Sequence, residues 1–128
     1  MIVDTSALVA VTFREPGHRE LVTKLARTPS AGIGTPTLAE TGLVLAARLR
    51  RDSRDLVIRL LDEFGIIEVP FGGQHWREAV DAYLRFGRGR HRAGLNFGDC
   101  LTYAVARLAN EPLLFVGDDF SETDLQPA

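Results

Sequence analysis

The chain has 128 residues, a formal net charge of −2, and 45% hydrophobic and 25% charged residues, which suits one domain with a full core and excludes both a disordered chain and two domains. No run approaches the ~18 apolar residues of a membrane span, and Asp4 interrupts the opening too early for a signal peptide, so a cytosolic protein with no membrane association is expected. Cys100 is the only cysteine, which rules out an internal disulfide and a thiolate zinc cluster.

In chain order, residues 1–4 read as a short buried strand and residues 5–11 as a helix directly behind it. The stretch EPGHRELVTKLAR predicts a second helix, with Pro16 suited to its start and Leu21, Val22 and Leu25 at helical spacing. AGIG is a short second strand. TPTLAETGLVLAARLRR reads as a helix apolar over most of its surface, which predicts burial on more than one side, in the sheet or in a dimer. Asp52 or Ser53 can cap the next helix, whose Leu56, Val57, Leu60, Leu61 and Phe64 form a single stripe. GIIEVP is a strand bounded by Gly65 and Pro70, GGQHWREAVDAYLRFG an amphipathic helix, and RGRHRAGLN a basic loop. FGDCLTYAVARLAN is a largely buried helix, PLLFVG the last clear strand and DDFSETDLQPA a tail. Strands alternate with helices, and every crossover is long enough for a parallel connection. The fold class is therefore α/β, a parallel sheet with helices on both faces.

The carboxylates fall where such a fold binds ligands, beyond the carboxyl ends of the strands. Asp4 ends the first strand, and Asp118 with Asp119 follow the last. Glu40 lies in the first turns of the helix after the second strand, and Asp99 opens the helix leading into the final one. Each acid also has an ordinary explanation. Thr37 to Glu40 matches the S/T-x-x-E capping box, Asn96 to Asp99 has similar spacing, Asp4 can cap the helix at Thr5, and Asp118 fits a turn. Capping gives no reason for acids to gather from four segments, whereas a hard divalent cation wants such a set of oxygen ligands. Two such ions about 3.5–4 Å apart can activate a water and stabilise the leaving oxygen in phosphodiester cleavage. Removing these five acids from a chain of formal charge −2 leaves +3, a mildly basic protein around an acidic hole.

The segments IVDTSAL, TPTLAETGLVL, LNFGDCLTYAVA and LLFVGDDFSETDL together resemble the PIN-domain family, and more closely the VapC toxins of bacterial toxin–antitoxin pairs. The match covers essentially the whole chain. It implies a single PIN domain over residues 1–128, a PIN-like α/β/α sandwich with a central, mainly parallel sheet, and an endoribonuclease dependent on one or two Mg²⁺ or Mn²⁺ ions. By position, Asp4, Glu40 and Asp99 match the family's three acids. The fourth lies in GDDF, where Asp118 and Asp119 are adjacent and Asp119 is preferred. Thr5 or Ser6 matches the hydroxyl held near the metal. On this reading Asp4 and Asp99 are the principal ligands, Glu40 holds a ligand water or the second ion, and a metal-activated water attacks phosphorus. The resemblance further implies structured RNA targets (transfer or ribosomal RNA), inhibition by a VapB-type antitoxin, a homodimer and a toxin–antitoxin hetero-oligomer.

Fourteen of the fifteen basic residues are arginine, the better fork for phosphate, although codon bias explains the same count. Arg85, Arg88, Arg90, His91 and Arg92 crowd into RFGRGRHR, which reads as a phosphate-contacting segment for RNA, as a patch for an acidic antitoxin segment, or as a solvated loop. His75 and Trp76 read as packing and surface, and Cys100 as a small buried residue. A phosphoryl-transfer protein with a nucleophilic Asp would also explain VDTS, but Lys24, the only lysine, lies far from any strand end, and no D-x-D pair or G-x-x-x-x-G-K-[ST] loop is present. A catalytically silent module that binds RNA or an antitoxin is the remaining alternative.

Overall fold

In the computed structural model, which describes residues 1–128, four strands and six α-helices follow one another along the chain. They are β1 (Ile2–Val3), α1 (Thr5–Thr12), α2 (His18–Arg27), β2 (Ala31–Gly34), α3 (Thr35–Leu49), α4 (Arg54–Phe64), β3 (Ile66–Val69), α5 (Gly73–Phe86), α6 (Phe97–Ala109) and β4 (Leu113–Leu114), with a 3₁₀ turn at Phe120–Glu122. The strands form one parallel sheet in the order β3-β2-β1-β4. Each connection carries two helices. After β3 the chain crosses back over β2 and β1 to place β4 on the far side, so the sheet changes winding direction between β1 and β4. That is where an open α/β sheet opens a crevice for ligand.

The two-residue period of a strand divides the core between the faces. Ile2 pairs with Leu113, and both join the cluster built on α5 and α6. Val3 pairs with Leu114, and both join the cluster of Leu8, Leu21 and Leu25 from α1 and α2. Helices therefore cover both faces, and the α/β/α sandwich is the observed architecture. A third cluster joins Val9, Leu45, Val57 and Leu60 at the α3–α4 arm. Gly34 lets α6 lie close on β2: a Cβ there would sit 2.7 Å from Val105 Cγ2.

Two expectations are corrected. Within this chain helix α3 is buried along one side only, at Thr37, Thr41 and Leu45, an i, i+4 stripe, so the sheet does not cover its second face, where Leu43 stands 72% exposed. Its abundance of Ala and Leu reflects helix propensity as much as burial. Helix α2 starts at His18 rather than at Pro16, behind Gly17 at φ 87°. At the start of α4 both expected residues take part: Ser53 holds the backbone cap position, and the Asp52 side chain accepts Arg54 N at 3.0 Å. In the tail, Pro127 bridges to Leu113, and Ala128 N donates to Leu113 O at 2.8 Å. No helix is long and apolar enough to cross a membrane.

Candidate metal centre

Asp4 follows β1 and is almost completely buried, 7% exposed. No cation compensates it. Its carboxylate instead accepts three neutral hydrogen bonds: Ser6 N at 3.0 Å and Ser6 Oγ at 2.6 Å on Oδ2, and Thr102 Oγ1 at 3.0 Å on Oδ1. The bond from Ser6 N makes Asp4 the N-cap of α1. The cap and the candidate ligand are thus one residue, because capping occupies a single oxygen.

Asp99 repeats this at the start of α6. Its carboxylate accepts Asn96 N at 3.1 Å, and Asn96 Oδ1 accepts Asp99 N at 2.9 Å, which closes a reciprocal capping box. Burial first, and then the charges of Asp4, Asp119 and Glu40, push the Asp99 carboxyl up to about 6. Of the adjacent pair, Asp119 contributes to this upward push, while the Asp118 backbone carbonyl accepts Ser121 N and Ser121 Oγ in the turn that follows β4.

Glu40 behaves differently from its sequence motif. Helix α3 begins at Thr35 behind Gly34, so Thr37 is already inside the helix and no capping box forms with Glu40. The Glu40 side chain reaches α6 instead. A Cβ at Gly98 would come within 2.5 Å of Glu40 Oε2, so glycine there leaves room for the carboxylate as it stands.

Thr5 and Ser6 have separate tasks. Ser6 Oγ donates to Asp4 and accepts Val116 N at 3.0 Å, which ties the loop carrying Asp119 to the first acid. Thr5 points away from the acids, toward Thr37 O at 3.1 Å and Thr41 Oγ1 at 3.0 Å. Sequence reasoning passed over Thr41 and Thr102 and read Thr37 only as a cap, yet all three are buried to 3% exposure or less. The available signal was three threonines in helix interiors, two of them four residues apart, where polar side chains are disfavoured unless bonded.

None of the five acids forms an ion pair with any Lys, Arg or His. Nor do they meet as a finished coordination shell: no three acidic, His or Cys side chains converge closely enough to hold an ion as they stand. The donor set, hard oxygens from four segments with no side-chain cation, fits Mg²⁺ or Mn²⁺. Asp4, Glu40, Asp99 and Asp119 are the residues that would hold it.

The basic segment divides into committed and uncommitted groups. Arg85 bonds Asp124 at 3.0 Å, Asp81 at 3.4 Å and Tyr103 Oη at 3.2 Å. Arg92 pairs with Glu122 at 2.6 Å, and His91 Nδ1 accepts Ala93 N at 3.0 Å within the loop. Arg90 lies over the Tyr83 ring at 5.5 Å, and neither it nor Arg88 has a carboxylate partner. Cys100 is buried, and burial followed by the Asp99 charge pushes its thiol up, away from a nucleophile.

The profile of the PIN domain family matches residues 1–125. A ribonuclease named VapC36 from Mycobacterium tuberculosis is 48% identical over 127 residues, covering 98% of this chain and 91% of that protein. Another from the same species, VapC42, is 43% identical over 129 residues, covering 100% of this chain and 98% of the relative. Among solved structures, Mycobacterium tuberculosis VapC20, described as a sarcin-ricin loop cleaving toxin, superposes with a TM-score of 0.79 at 17% identity, covering 99% of this chain and 97% of that one. A toxin–antitoxin complex from Klebsiella pneumoniae gives 0.70 at 20% identity, covering 96% and 92%. Those two likenesses carry the fold; the 48% and 43% identities and the profile carry the family. The chain belongs to the PIN-domain family, and within it to the VapC type.

Proposed function

We propose that this chain is a Mg²⁺- or Mn²⁺-dependent endoribonuclease, the toxin of a toxin–antitoxin pair, that cleaves structured RNA and is held inactive by a VapB-type antitoxin. The observation that supports the chemistry is that Asp4, Glu40, Asp99 and Asp119, borne on segments around the sheet's winding reversal, have no Lys, Arg or His ion-pair partner. The naming of the relatives as VapC ribonucleases supports RNA as the substrate. Homodimerisation and a hetero-oligomer with the antitoxin belong to the same reading.

Each residue's part follows from its placement. Asp4, fixed by three donors, and Asp99, fixed by its capping box, are the principal ligands. Glu40, which makes no cap, is free to turn toward a ligand water or a second ion. Asp119 completes the ring from the last loop. A bound divalent ion supplies a polarised water for attack on phosphorus and stabilises the leaving oxygen. Arg88 and Arg90 hold phosphates without reading bases.

A silent binding module is favoured by one observation, the failure of three acids to converge. The deciding experiment is cleavage of end-labelled transfer and ribosomal RNA by antitoxin-free protein, with Mg²⁺ or Mn²⁺ and with chelator, alongside Asp4→Asn. Discrete metal-dependent cuts lost in the variant are expected. Folded, metal-binding protein that cuts none of the RNAs overturns the nuclease reading in favour of the module.

A further inference from the structure

The geometry points to Thr102, backed by Thr37, as the positioning residue that aims the Asp4 carboxylate; this inference rests on the metal-dependent reading above. Three facts carry it. Thr102 Oγ1 lies 3.0 Å from Asp4 Oδ1 and 2.9 Å from Thr37 Oγ1, and both threonines are buried to 3% or less. A carboxylate only accepts, so the single hydroxyl hydrogen of Thr102 goes to Asp4. Thr37 must then donate to Thr102, and the chain of hydrogen bonds acquires one direction: Thr37 to Thr102 to Asp4.

The carbonyl of Thr37 anchors the other end. It accepts Thr41 Oγ1 at 2.9 Å and Thr5 Oγ1 at 3.1 Å, and no buried side-chain polar atom in the chain lacks a partner. This hydroxyl network joins the acid-bearing segments. Thr37 lies one helical turn before Glu40 in α3, Thr102 one turn after Asp99 in α6, and Thr5 next to Asp4. Ser6 extends the set to Val116 and the loop of Asp119. A buried hydroxyl left without its acceptor is destabilising, so the network holds the segments in one register. On the carboxylate, Ser6 takes Oδ2 twice and Thr102 takes Oδ1 once, which leaves Oδ1 with capacity to accept one more bond. That oxygen is the one Thr102 aims.

The test uses Thr102→Val, which keeps shape and removes the hydroxyl, and Thr102→Ser, which keeps the hydroxyl and removes the methyl. The readout is Mn²⁺ affinity by calorimetry on the full antitoxin-free chain, with the urea midpoint measured alongside. Loss of a hydrogen-bond partner behind a ligand typically weakens metal binding about 10- to 100-fold. We expect at least a tenfold loss for Thr102→Val in folded protein, with Thr102→Ser within about threefold of wild type. Wild-type Mn²⁺ affinity in Thr102→Val overturns the inference, as does a serine variant that loses as much as valine, since the methyl and not the hydroxyl would then matter. If Thr102→Val does not fold, a wild-type affinity in Thr37→Val, where Thr102 keeps its hydrogen but loses its backing donor, overturns the part assigned to Thr37, and a loss in Thr102→Ser overturns the rest. Failure of the wild-type chain itself to bind Mn²⁺ overturns the metal-dependent reading, and this inference with it.

Discussion

The acid cluster and the arginine segment are the two charged regions of this molecule, and they are built by opposite means. Asp4 and Asp99 are fixed by neutral donors and have no counter-ion, so their charge remains available to a ligand. Arg85 and Arg92 are fixed by carboxylates, which neutralise their charge inside the protein and leave Arg88 and Arg90 open. Charge that a fold satisfies with neutral hydrogen bonds stays usable. A residue's formal charge therefore predicts a site less well than what holds that residue in place.

The sharpest break of this comparison is Glu40→Gln. Gln conserves size and would serve a capping box, but no such box exists, so removing the charge touches only the cluster. RNA cleavage is expected to fall by about 100-fold or more with an unchanged urea midpoint, on the scale of losing one electrostatic contributor to a transition state. Retained cleavage at unchanged stability would remove Glu40 from the metal centre.

Gly98→Ala probes the same carboxylate by volume. The new methyl would lie 2.5 Å from Glu40 Oε2, which must swing away. The end of that flexible side chain moves easily, and alanine favours a helix over glycine by up to about 1 kcal/mol. Stability should hold or rise while cleavage falls about tenfold. A variant that is both stable and fully active would show that the position of Glu40 against α6 is irrelevant.

These two variants also show where sequence reasoning stops. The alternation of strands and helices, the parallel sheet and the placement of acids at strand ends could be read from periodicity and turn residues. The capping box at Thr37 could not be rejected, because a box and a mid-helix Thr-x-x-Glu have the same spelling; what decides is where Gly34 ends the strand. The one-sided burial of α3 was hidden for a similar reason, since Leu and Ala favour helices whether or not they are covered. The Arg85–Asp124 and Arg92–Glu122 pairs join residues over 25 apart in sequence, and no local pattern reports them.

Acidity gives a smaller, signed effect. The folded Asp99 carboxyl titrates at about 6, above its ordinary 3.8, so between these values the folded chain holds more proton than the unfolded one. Ionised Asp99 therefore destabilises the metal-free protein above pH 6. That burden lifts as pH falls through 6 and is gone below 3.8, the reverse of an ion-paired aspartate. Urea midpoints of chelator-treated protein should rise from pH 7 toward pH 5 relative to Asp99→Asn, while metal-dependent cleavage declines over the same range because a protonated carboxyl is a poor ligand. Parallel curves for the two proteins would contradict the shift.

The smallest effects belong to the arginines, and they should separate into two kinds. Arg88→Ala with Arg90→Ala removes charges that no carboxylate holds, so stability should stay within about 0.5 kcal/mol of wild type. RNA binding should lose salt sensitivity, the slope of log affinity against log salt falling by about 0.7 for each phosphate of single-stranded RNA that the protein no longer neutralises. Arg85→Ala should do the converse. It strips Asp124 and Tyr103 Oη of a shared donor and costs up to about 1 kcal/mol, the usual worth of a partly exposed pair, with little change in the salt slope. If Arg85→Ala instead flattened the slope as much as the Arg88 and Arg90 pair, the guanidinium would have to leave Asp124 when RNA arrives. The distinction between neutralised and available charge would then describe only the unbound protein.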